Sequence, residues 1–241
     1  MALEFDCRDE SQLLPGMRQA RQAIARGALV VIPTDTVYGV AADAFNSIAV
    51  QRLLDAKGRT RQSPPPVLVA GVSMVRALVA ELPKAAVDLI DKFWPGGLTL
   101  VLPAQPSLNW DLGETRGTVA VRMPDHRLAL ELIEETGPLA VSSANLTGEP
   151  AATACADARE MLGDRVDVYL DGGPAEIGTS STILDLTGLV GRGEGTVRVL
   201  REGAIALERL RDVLGEILQL PEETTPADDT AGTVDEPGPS A

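Results

Sequence analysis

The sequence predicts an α/β protein in which a mixed, twisted and open sheet is flanked by helices. Short β-branched runs and amphipathic segments follow one another along the chain without strict alternation, which favours a mixed sheet over a regular doubly wound one. Hydrophobic residues make up 44% of the 241 residues, but aromatic residues make up only 3%. A sizeable core built from Ala, Val, Leu and Ile is therefore expected.

The first elements lie around a short hydroxyl-rich turn. Residues 14–26 have the apolar spacing of an amphipathic helix, and Gly27 is expected to stop it. Residues 28–32 are a β-branched run typical of a buried strand. The turn at 33–36 ends this strand, because its Thr and Asp side chains bond locally. Ser47 is then expected to cap a helix with an inward apolar stripe, which ends at a Lys-Gly-Arg turn.

Hydrophobic runs bounded by Gly, Pro and polar residues predict the remaining elements. Strands are expected at 66–70, 98–102, 119–123, 139–141, 167–170, 182–186 and 197–200. Helices are expected at 73–81, 84–93, 125–136, 154–162 and 207–218. Asp125 is expected to cap the third of these helices, with His126 in its first turn.

The charge of the chain is acidic and unevenly placed. The formal net charge is −14, from 35 acidic and 21 basic residues. Residues 221–241 hold six acids and four prolines but no Lys or Arg, a composition typical of disorder. Residues 1–218 are therefore predicted to form one folded domain, and 219–241 a disordered tail. Weak or no direct nucleic-acid binding is expected, because such binding needs a basic surface.

Targeting and cysteine patterns indicate the compartment. No apolar run approaches the ~20 residues that span a bilayer, and the acidic N-terminus lacks the regions of a signal peptide. We therefore expect no membrane association and a cytoplasmic location. Cys7 and Cys155 lie far apart and form no metal-binding spacing. Both are expected to be free thiols, since disulfides are rare in a reducing compartment.

Several common catalytic devices are absent from the sequence. It contains no P-loop, no dinucleotide-binding glycine motif after a strand and no GxSxG nucleophile elbow. The only histidine is His126, which excludes a His-centred triad and a multi-His metal site. Catalysis would then rest on positioning and electrostatics, and adenylyl transfer suits such a site.

Two cations beside a hydroxyl cluster form the first candidate site. Lys57 and Arg59 flank Gly58, which allows a phosphate to approach the backbone closely. Arg binds phosphate through a bidentate fork, and Lys supplies a point charge. The pair would suit a polyphosphate next to a small polar ligand. The alternative is a solvated pair at a helix C-terminus, where cations are favoured anyway.

Other polar groups are predicted at the ends of strands, and each has either a local structural role or a role in ligand binding. The hydroxyl and amide groups either bond within turns and caps or line a ligand crevice at the ends of the strands. These groups are Thr34, Thr36, Tyr38, Ser142, Ser143 and Asn145. Arg122 ends a buried strand and needs an anion, which is either a structural carboxylate or the carboxylate of a substrate.

A series of longer motifs points to a family. The motifs are PTDTVYG (33–39), KGR (57–59), FWPGGLTLVLPA (93–104), VAVRMPDH (119–126), SSANLTG (142–148), GTSSTILDL (178–186) and VLREGAI (199–205). In this order they closely resemble the YrdC-like threonylcarbamoyl-AMP synthases, over roughly residues 10–215. The resemblance implies a YrdC-like fold with a central ligand cavity.

The resemblance also implies a role for each matching residue. The implied catalytic residues are Lys57 and Arg59. The implied contacts with L-threonine are made by Thr36, Arg122, Ser142 and Ser181. The implied contacts with ATP are made by Lys57, Arg59, Ser63, Thr118, Ser143, Ala144, Asn145 and Arg201. No protein ligand for a metal is implied.

The implied reaction is the synthesis of an adenylate. L-threonine, bicarbonate (or CO₂) and ATP would give L-threonylcarbamoyladenylate and pyrophosphate. Partner proteins would use the adenylate for the threonylcarbamoyladenosine modification of tRNA. Mg²⁺ is expected with ATP, held mainly by phosphate oxygens and water.

Two departures from the family pattern and two other functions stay open. Ser63 stands where the family usually has Lys, Asn or Asp, Pro65 replaces a leucine, and Leu68 stands where many members have a histidine. The first alternative function is an RNA-binding module without catalysis, which the acidic balance and the few aromatic residues disfavour. The second is a carbamoyl-adenylate-forming domain that acts on another substrate, as in the longer hydrogenase-maturation proteins.

Deletion of residues 221–241 is expected to leave the thermal unfolding midpoint nearly unchanged, because a disordered tail adds no packed surface. Differential scanning calorimetry of the full and shortened chains measures this. A large fall in the midpoint would refute the prediction of disorder.

Overall fold

A computed structural model of the protein describes residues 1–191 and 195–220. The strands are β1 Leu3–Asp6, β2 Val30–Ile32, β3 Gly39–Asp43, β4 Val67–Leu68, β5 Leu98–Pro103, β6 Thr118–Arg122, β7 Leu139–Ser143, β8 Val168–Asp171, β9 Thr182–Asp185, β10 Val197–Arg201 and β11 Leu218–Gln219. The α-helices are α1 Glu10–Ala25, α2 Ser47–Lys57, α3 Val72–Leu78, α4 Lys84–Phe93, α5 Arg127–Thr136, α6 Cys155–Leu162 and α7 Leu207–Leu214. The predicted tail lies outside the described residues from position 221 onward.

All the named strands belong to one sheet, in the order β1-β8-β2-β3-β7-β4-β6-β5-β9-β10-β11. Neighbours are antiparallel at β2/β3, β3/β7, β4/β7, β5/β6 and β9/β10. They are parallel at β1/β8, β2/β8, β4/β6, β5/β9 and β10/β11. The predicted fold class, a mixed open sheet flanked by helices, is confirmed.

The helices cover both faces of the sheet, because side chains alternate along each strand. Val30 and Ile32 pack against α1 and α5, whereas Val31 between them packs with α2 and α6. A third cluster joins α3, α4 and α7 to β5, β6, β9 and β10 around buried residues such as Leu100. The core is largely aliphatic, as the composition requires, with Tyr38 among the few aromatic residues inside it.

Several boundaries differ from the prediction for local reasons. Helix α1 begins four residues early, because the side chain of Asp9 accepts from the backbone N–H of Ser11 and caps it. The predicted cap at Ser47 is wrong: the side chain of Asn46 accepts from the N–H of Ala49. The predicted Asp125 cap is also wrong, since His126 holds the N-cap position of α5 without a side-chain cap.

Three strands were not predicted, and one helix is shorter than expected. Strand β1 is acidic and short, and it forms by parallel pairing with the distant β8. Strand β3 follows the hydroxyl-rich turn directly and pairs with β2 and β7. The predicted helix at 207–218 ends at Leu214, and Leu218 begins β11. Among residues 1–191 and 195–220, no helix combines the length and apolar character needed to cross a membrane.

Leu100 on β5 has no exposed surface, so Leu100→Ala leaves a cavity and is expected to lower the free energy of unfolding by about 2–5 kcal/mol. Leu14 on α1 is 71% exposed, and Leu14→Ala is expected to change that free energy by less than about 0.5 kcal/mol. Urea denaturation measures both values. Equal losses would contradict the place of Leu100 in the core.

Candidate functional site

A cavity of about 150 Å³ lies where the middle strands meet the turn between β2 and β3. We call it the central cavity. Its wall combines hydroxyl groups, three guanidinium groups and apolar side chains. The lining residues are Thr34, Thr36, Val37, Tyr38, Gly39, Arg59, Pro64, Pro66, Leu68, Thr99, Arg122, Val141, Ser142, Ser143, Ser180, Ser181, Ile183 and Arg201.

The structure brings most of the predicted site residues to this cavity. Those in its wall are Thr36, Arg59, Arg122, Ser142, Ser143, Ser181 and Arg201. The predicted residues that do not line it are Lys57, Ser63, Thr118, Ala144 and Asn145. Seven residues from six separate motifs therefore meet in one small space.

A second, mostly apolar space of about 310 Å³ adjoins the central cavity. We call it the adjacent cleft. It shares Pro64, Pro66 and Ile183 with the central cavity. Thr118 lines this cleft together with Leu200. The exposed Ser63 immediately precedes the shared prolines.

Arg122 has a structural carboxylate partner and still faces the cavity. Its Nη2 donates to Oδ1 of Asp35 at 2.5 Å, its Nη1 to Oγ1 of Thr36 at 2.8 Å, and its Nε to the carbonyl of Gly96 at 2.9 Å. Asp35 and Arg122 are only 3% and 6% exposed. The sequence left open whether the anion beside Arg122 is a structural carboxylate or the carboxylate of a substrate. The structure provides a structural carboxylate, that of Asp35. Two of the five guanidinium N–H groups stay available for a ligand.

Arg59 and Arg201 line the same cavity without acidic partners. Nη1 of Arg59 donates to Oγ of Ser142 at 3.1 Å. Arg201 donates to the carbonyl of Ser181 through Nε and Nη2, at 3.0 and 2.8 Å, and through Nη2 to its hydroxyl at 3.0 Å. In the part of the chain that the structure describes, neither forms a salt bridge. Two uncompensated charges therefore attract anions to the cavity.

The pKa values of these guanidinium groups reflect their burial. Burial lowers the pKa of Arg59 and of Arg201, and the charge of Arg59 lowers the pKa of Arg201 further. Burial also lowers the pKa of Arg122, while the carboxylate of Asp35 opposes that change. An anionic ligand would relieve the mutual repulsion of the cations.

Lys57 points away from the cavity into the turn after β7. Its side chain is 1% exposed, and Nζ donates to the carbonyl and Oδ1 of Asn145, at 2.6 and 3.1 Å, and to the carbonyl of Ser143. These acceptors match the three N–H groups of an ammonium ion. The predicted contact of Lys57 with phosphate is not made by this arrangement and stays a prediction.

The Lys-Gly-Arg turn sends its two cations in different directions. Gly58 ends α2 in the left-handed conformation with a φ of 67°, which glycine adopts without steric cost. The carbonyl of Lys57 accepts from the N–H and hydroxyl of Thr147 at 3.0 and 2.9 Å. The alternative of a solvated pair is wrong, because Lys57 is buried and Arg59 lines the cavity.

The hydroxyl groups serve both local structure and the cavity. Oγ1 of Thr34 donates to the carbonyl of Val37 at 2.6 Å, and it lies 3.1 Å from Oγ1 of Thr36. The hydroxyl of Ser181 lies 2.8 Å from that of Thr99. Strand β7 continues to Ser143, so that Ser142 and Ser143 lie in the strand end rather than after it.

Two site residues were missed in the sequence. The sequence predicts Asp35 only as a turn residue, although a carboxylate between two threonines is a natural partner for a buried arginine. Thr99 is fully buried within the apolar strand β5. A single hydroxyl residue in an apolar strand indicates a buried polar contact, and this signal could have identified it. Both lie in motifs that the sequence analysis had identified.

The remaining polar residues lie elsewhere. Burial lowers the pKa of His126, which is outside the cavity wall. Cys7 and Cys155 are free thiols, as predicted; both are buried, and burial raises their pKa values to about 11 and about 12. Within the described ranges, no group of three or more His, Cys, Asp or Glu residues is arranged to hold a metal ion.

Comparisons with known proteins agree with one another. The Sua5/YciO/YrdC family, described as telomere recombination, matches residues 22–203. A Mycobacterium tuberculosis relative is 52% identical over 215 residues, which cover 89% of this chain and 96% of that protein. The Bacillus subtilis threonylcarbamoyl-AMP synthase is 40% identical over 205 residues, which cover 84% of this chain and 58% of that protein. The crystal structure of Pyrococcus abyssi Sua5 complexed with L-threonine has a TM-score of 0.80 and 36% identity, covering 91% of this chain and 62% of that one.

The buried ammonium of Lys57 predicts a pH dependence of stability. Burial and the nearby Arg59 lower its pKa from the ordinary 10.5 to about 7, although the three oxygen acceptors oppose that change. Between these values the unfolded state binds more protons than the folded state, so the free energy of unfolding rises with pH. The expected slope is at most about 1.4 kcal/mol per pH unit.

Lys57→Met removes this contribution, so the wild type is expected to gain stability relative to the variant from about pH 7 to about pH 9. Urea denaturation of both proteins at each pH measures the difference, in which the titration of the other groups cancels. A difference that stays constant over this range would contradict the lowered pKa.

Proposed function

The chain belongs to the Sua5/YciO/YrdC family, and on this premise we propose that it is a threonylcarbamoyl-AMP synthase. It would convert L-threonine, bicarbonate and ATP into L-threonylcarbamoyladenylate and pyrophosphate, acting as a nucleotidyltransferase. The observation that supports this most is the composition of the central cavity. Its wall combines hydroxyls, one guanidinium group that is paired with Asp35 and two guanidinium groups that have no acidic partner among the described residues.

The surroundings of Arg122 in the central cavity suit an amino acid. The free N–H groups of Arg122 would bind the carboxylate of L-threonine, as the family resemblance implies. The hydroxyls of Thr36, Ser142 and Ser181 line the same wall and would bind the remaining polar groups. Leu68 and Val141 add apolar surface, which would contact the threonine methyl group.

Arg59 and Arg201 in the wall of the central cavity suit the phosphates of ATP. Both guanidinium groups supply fixed positive charge, and Arg binds phosphate oxygens in a fork. Ser143 lies at the same wall. The adjacent cleft, with Thr118 and the two shared prolines, would hold the nucleoside, because an apolar cleft suits the faces of a purine ring.

The chemistry would need alignment more than a protein nucleophile. Bicarbonate would take up a proton and lose water to give CO₂, and the amino group of threonine would add to CO₂ and lose a proton, which gives a carbamate. A carbamate oxygen would then attack the α-phosphorus, and the bond to the bridging oxygen of the β-phosphate would break with its electron pair leaving on pyrophosphate. Arg59 and Arg201 would stabilise the charge that develops on the phosphate oxygens.

Magnesium would enter as the counter-ion of ATP. The described cavity wall carries no carboxylate, and Asp35 behind it is already paired with Arg122. The described residues therefore offer Mg²⁺ no evident ligand set, which fits an ion held by phosphate oxygens and water. The adenylate product would be passed to partner proteins that modify tRNA.

The RNA-binding alternative has less support from the site. Lys57 and Arg122 are buried, and Arg59 and Arg201 line the same small cavity as Arg122, whereas RNA binding uses exposed basic and stacking groups spread over a surface. A carbamoyl-adenylate domain with another substrate would leave the hydroxyl groups around Arg122 without a ligand.

Arg59→Ala is expected to lower pyrophosphate release by about 100-fold or more, because one fixed charge on the phosphates is lost. Release is measured with ATP, Mg²⁺ and bicarbonate, with L-threonine compared with L-serine, L-valine and no amino acid. The matched control is Arg61→Ala, since Arg61 forms an exposed ion pair with Asp111 at 2.6 Å; its activity is expected to change by less than about twofold.

Equal activity of the Arg59 and Arg61 variants would remove Arg59 from the mechanism. Wild-type release that needs neither threonine nor bicarbonate would overturn the proposed reaction itself.

A further inference from the structure

We propose that Thr99 is a positioning residue, which fixes the hydroxyl of Ser181 as a hydrogen-bond donor to an acceptor oxygen of the amino-acid substrate. The inference rests on the proposed function, in which Ser181 binds L-threonine. Thr99 lies on β5 and belongs to the wall of the central cavity. Its effect on the substrate would pass through Ser181.

The hydroxyl of Ser181 lies between two polar neighbours. Its Oγ is 2.8 Å from Oγ1 of Thr99 and 3.0 Å from Nη2 of Arg201. A guanidinium group can only donate, so Oγ of Ser181 accepts from Arg201. Between two hydroxyls either oxygen can be the donor, and the surroundings of Thr99 decide which one it is.

The proton of the Thr99 hydroxyl has one acceptor within reach. Thr99 has no exposed surface, and among the described residues Ser181 is the only hydrogen-bond partner of its hydroxyl. If Ser181 donated to Thr99, the proton of Thr99 would be buried without an acceptor, which is unfavourable. Thr99 therefore donates to Ser181.

This direction leaves the hydroxyl of Ser181 with one possible role toward a ligand. A hydroxyl oxygen has two lone pairs and one proton, and Arg201 and Thr99 together occupy both lone pairs. The residues that the structure describes offer no acceptor for the remaining proton. Ser181 is 5% exposed and lies in the cavity wall. It can therefore donate to a ligand but cannot accept from one.

Ser142 in the same wall shows what the second donor adds. Its Oγ accepts from Nη1 of Arg59 at 3.1 Å, which is its only side-chain hydrogen bond in the described part of the chain. One lone pair and the proton both stay free, so Ser142 can either donate or accept. Ser181 is fixed before the ligand arrives, which strengthens binding of an acceptor and penalises a donor at that position.

Two substitutions of Thr99 separate its hydroxyl from its packing. Valine keeps nearly the same shape but cannot donate, so a lone pair of Ser181 becomes free and its hydroxyl can turn. Serine keeps the donor but removes a methyl group. Thr99→Val is expected to raise the Kd of L-threonine about fivefold, and Thr99→Ser to change it by less than about twofold. A packing role would give the opposite order.

Isothermal titration calorimetry of the full chain with L-threonine measures these values. Ser181→Ala is expected to raise the Kd about tenfold. Adding Thr99→Val to Ser181→Ala is expected to raise it by less than about 1.5-fold more, because Thr99 acts only through Ser181. The control is Thr136→Val, since this hydroxyl donates to the carbonyl of Leu132 at 2.8 Å and lies outside the cavity wall; the Kd is expected to stay the same.

Each other outcome contradicts a stated part of the argument. An equal rise in Kd from Thr99→Val with and without Ser181→Ala, or no rise in either, would overturn the role of Thr99. An unchanged Kd in Ser181→Ala alone would also overturn it, and this test needs no variant of Thr99 to fold. A wild-type chain that binds no L-threonine would overturn the proposed function itself.

Discussion

The buried ion pair of Arg122 and Asp35 joins the segments that form the central cavity. Removing two charges from water costs several kcal/mol per ion, and only further hydrogen bonds offset that penalty. Here they come from Thr36, Gly96 and the backbone of Asp125. These partners lie in the turn after β2, the loop before β5 and the loop after β6. The pair therefore holds three loops in one arrangement, and the cavity wall depends on it.

The site contains cations in three kinds of surroundings, and each kind has a consequence. A carboxylate neutralises Arg122, so this group can bind a ligand by geometry without a net charge. Three oxygens of the turn after β7 surround Lys57, which makes it a clamp between α2 and β7. In the part of the chain that the structure describes, Arg59 and Arg201 donate only to hydroxyl and carbonyl groups, so their charges are left for an anionic ligand. The cavity wall therefore combines one neutralised guanidinium group with two charged ones.

Much of the fold could be predicted where a segment carries its own signal. Helix α4 begins after Pro83 and ends at Phe93, as predicted, because its amphipathic pattern and its proline boundary are both local. Strands β1 and β3 were missed because each is stabilised by partners far along the chain, β8 and β7. The cap of α2 was displaced by one residue, since both Asn46 and Ser47 are suitable caps and only the backbone conformation selects between them.

The sequence by itself determined the aliphatic core, the mixed sheet and the motifs that carry the site, because composition, periodicity and motif order are properties of the chain. Only the tertiary structure decided which way the polar groups face. Lys57 and Arg59 are two residues apart, yet one enters a turn and the other the cavity. The partner of Arg122 is a carboxylate 87 positions away. Side-chain direction and long-range pairing depend on how distant segments pack, and no local pattern encodes that.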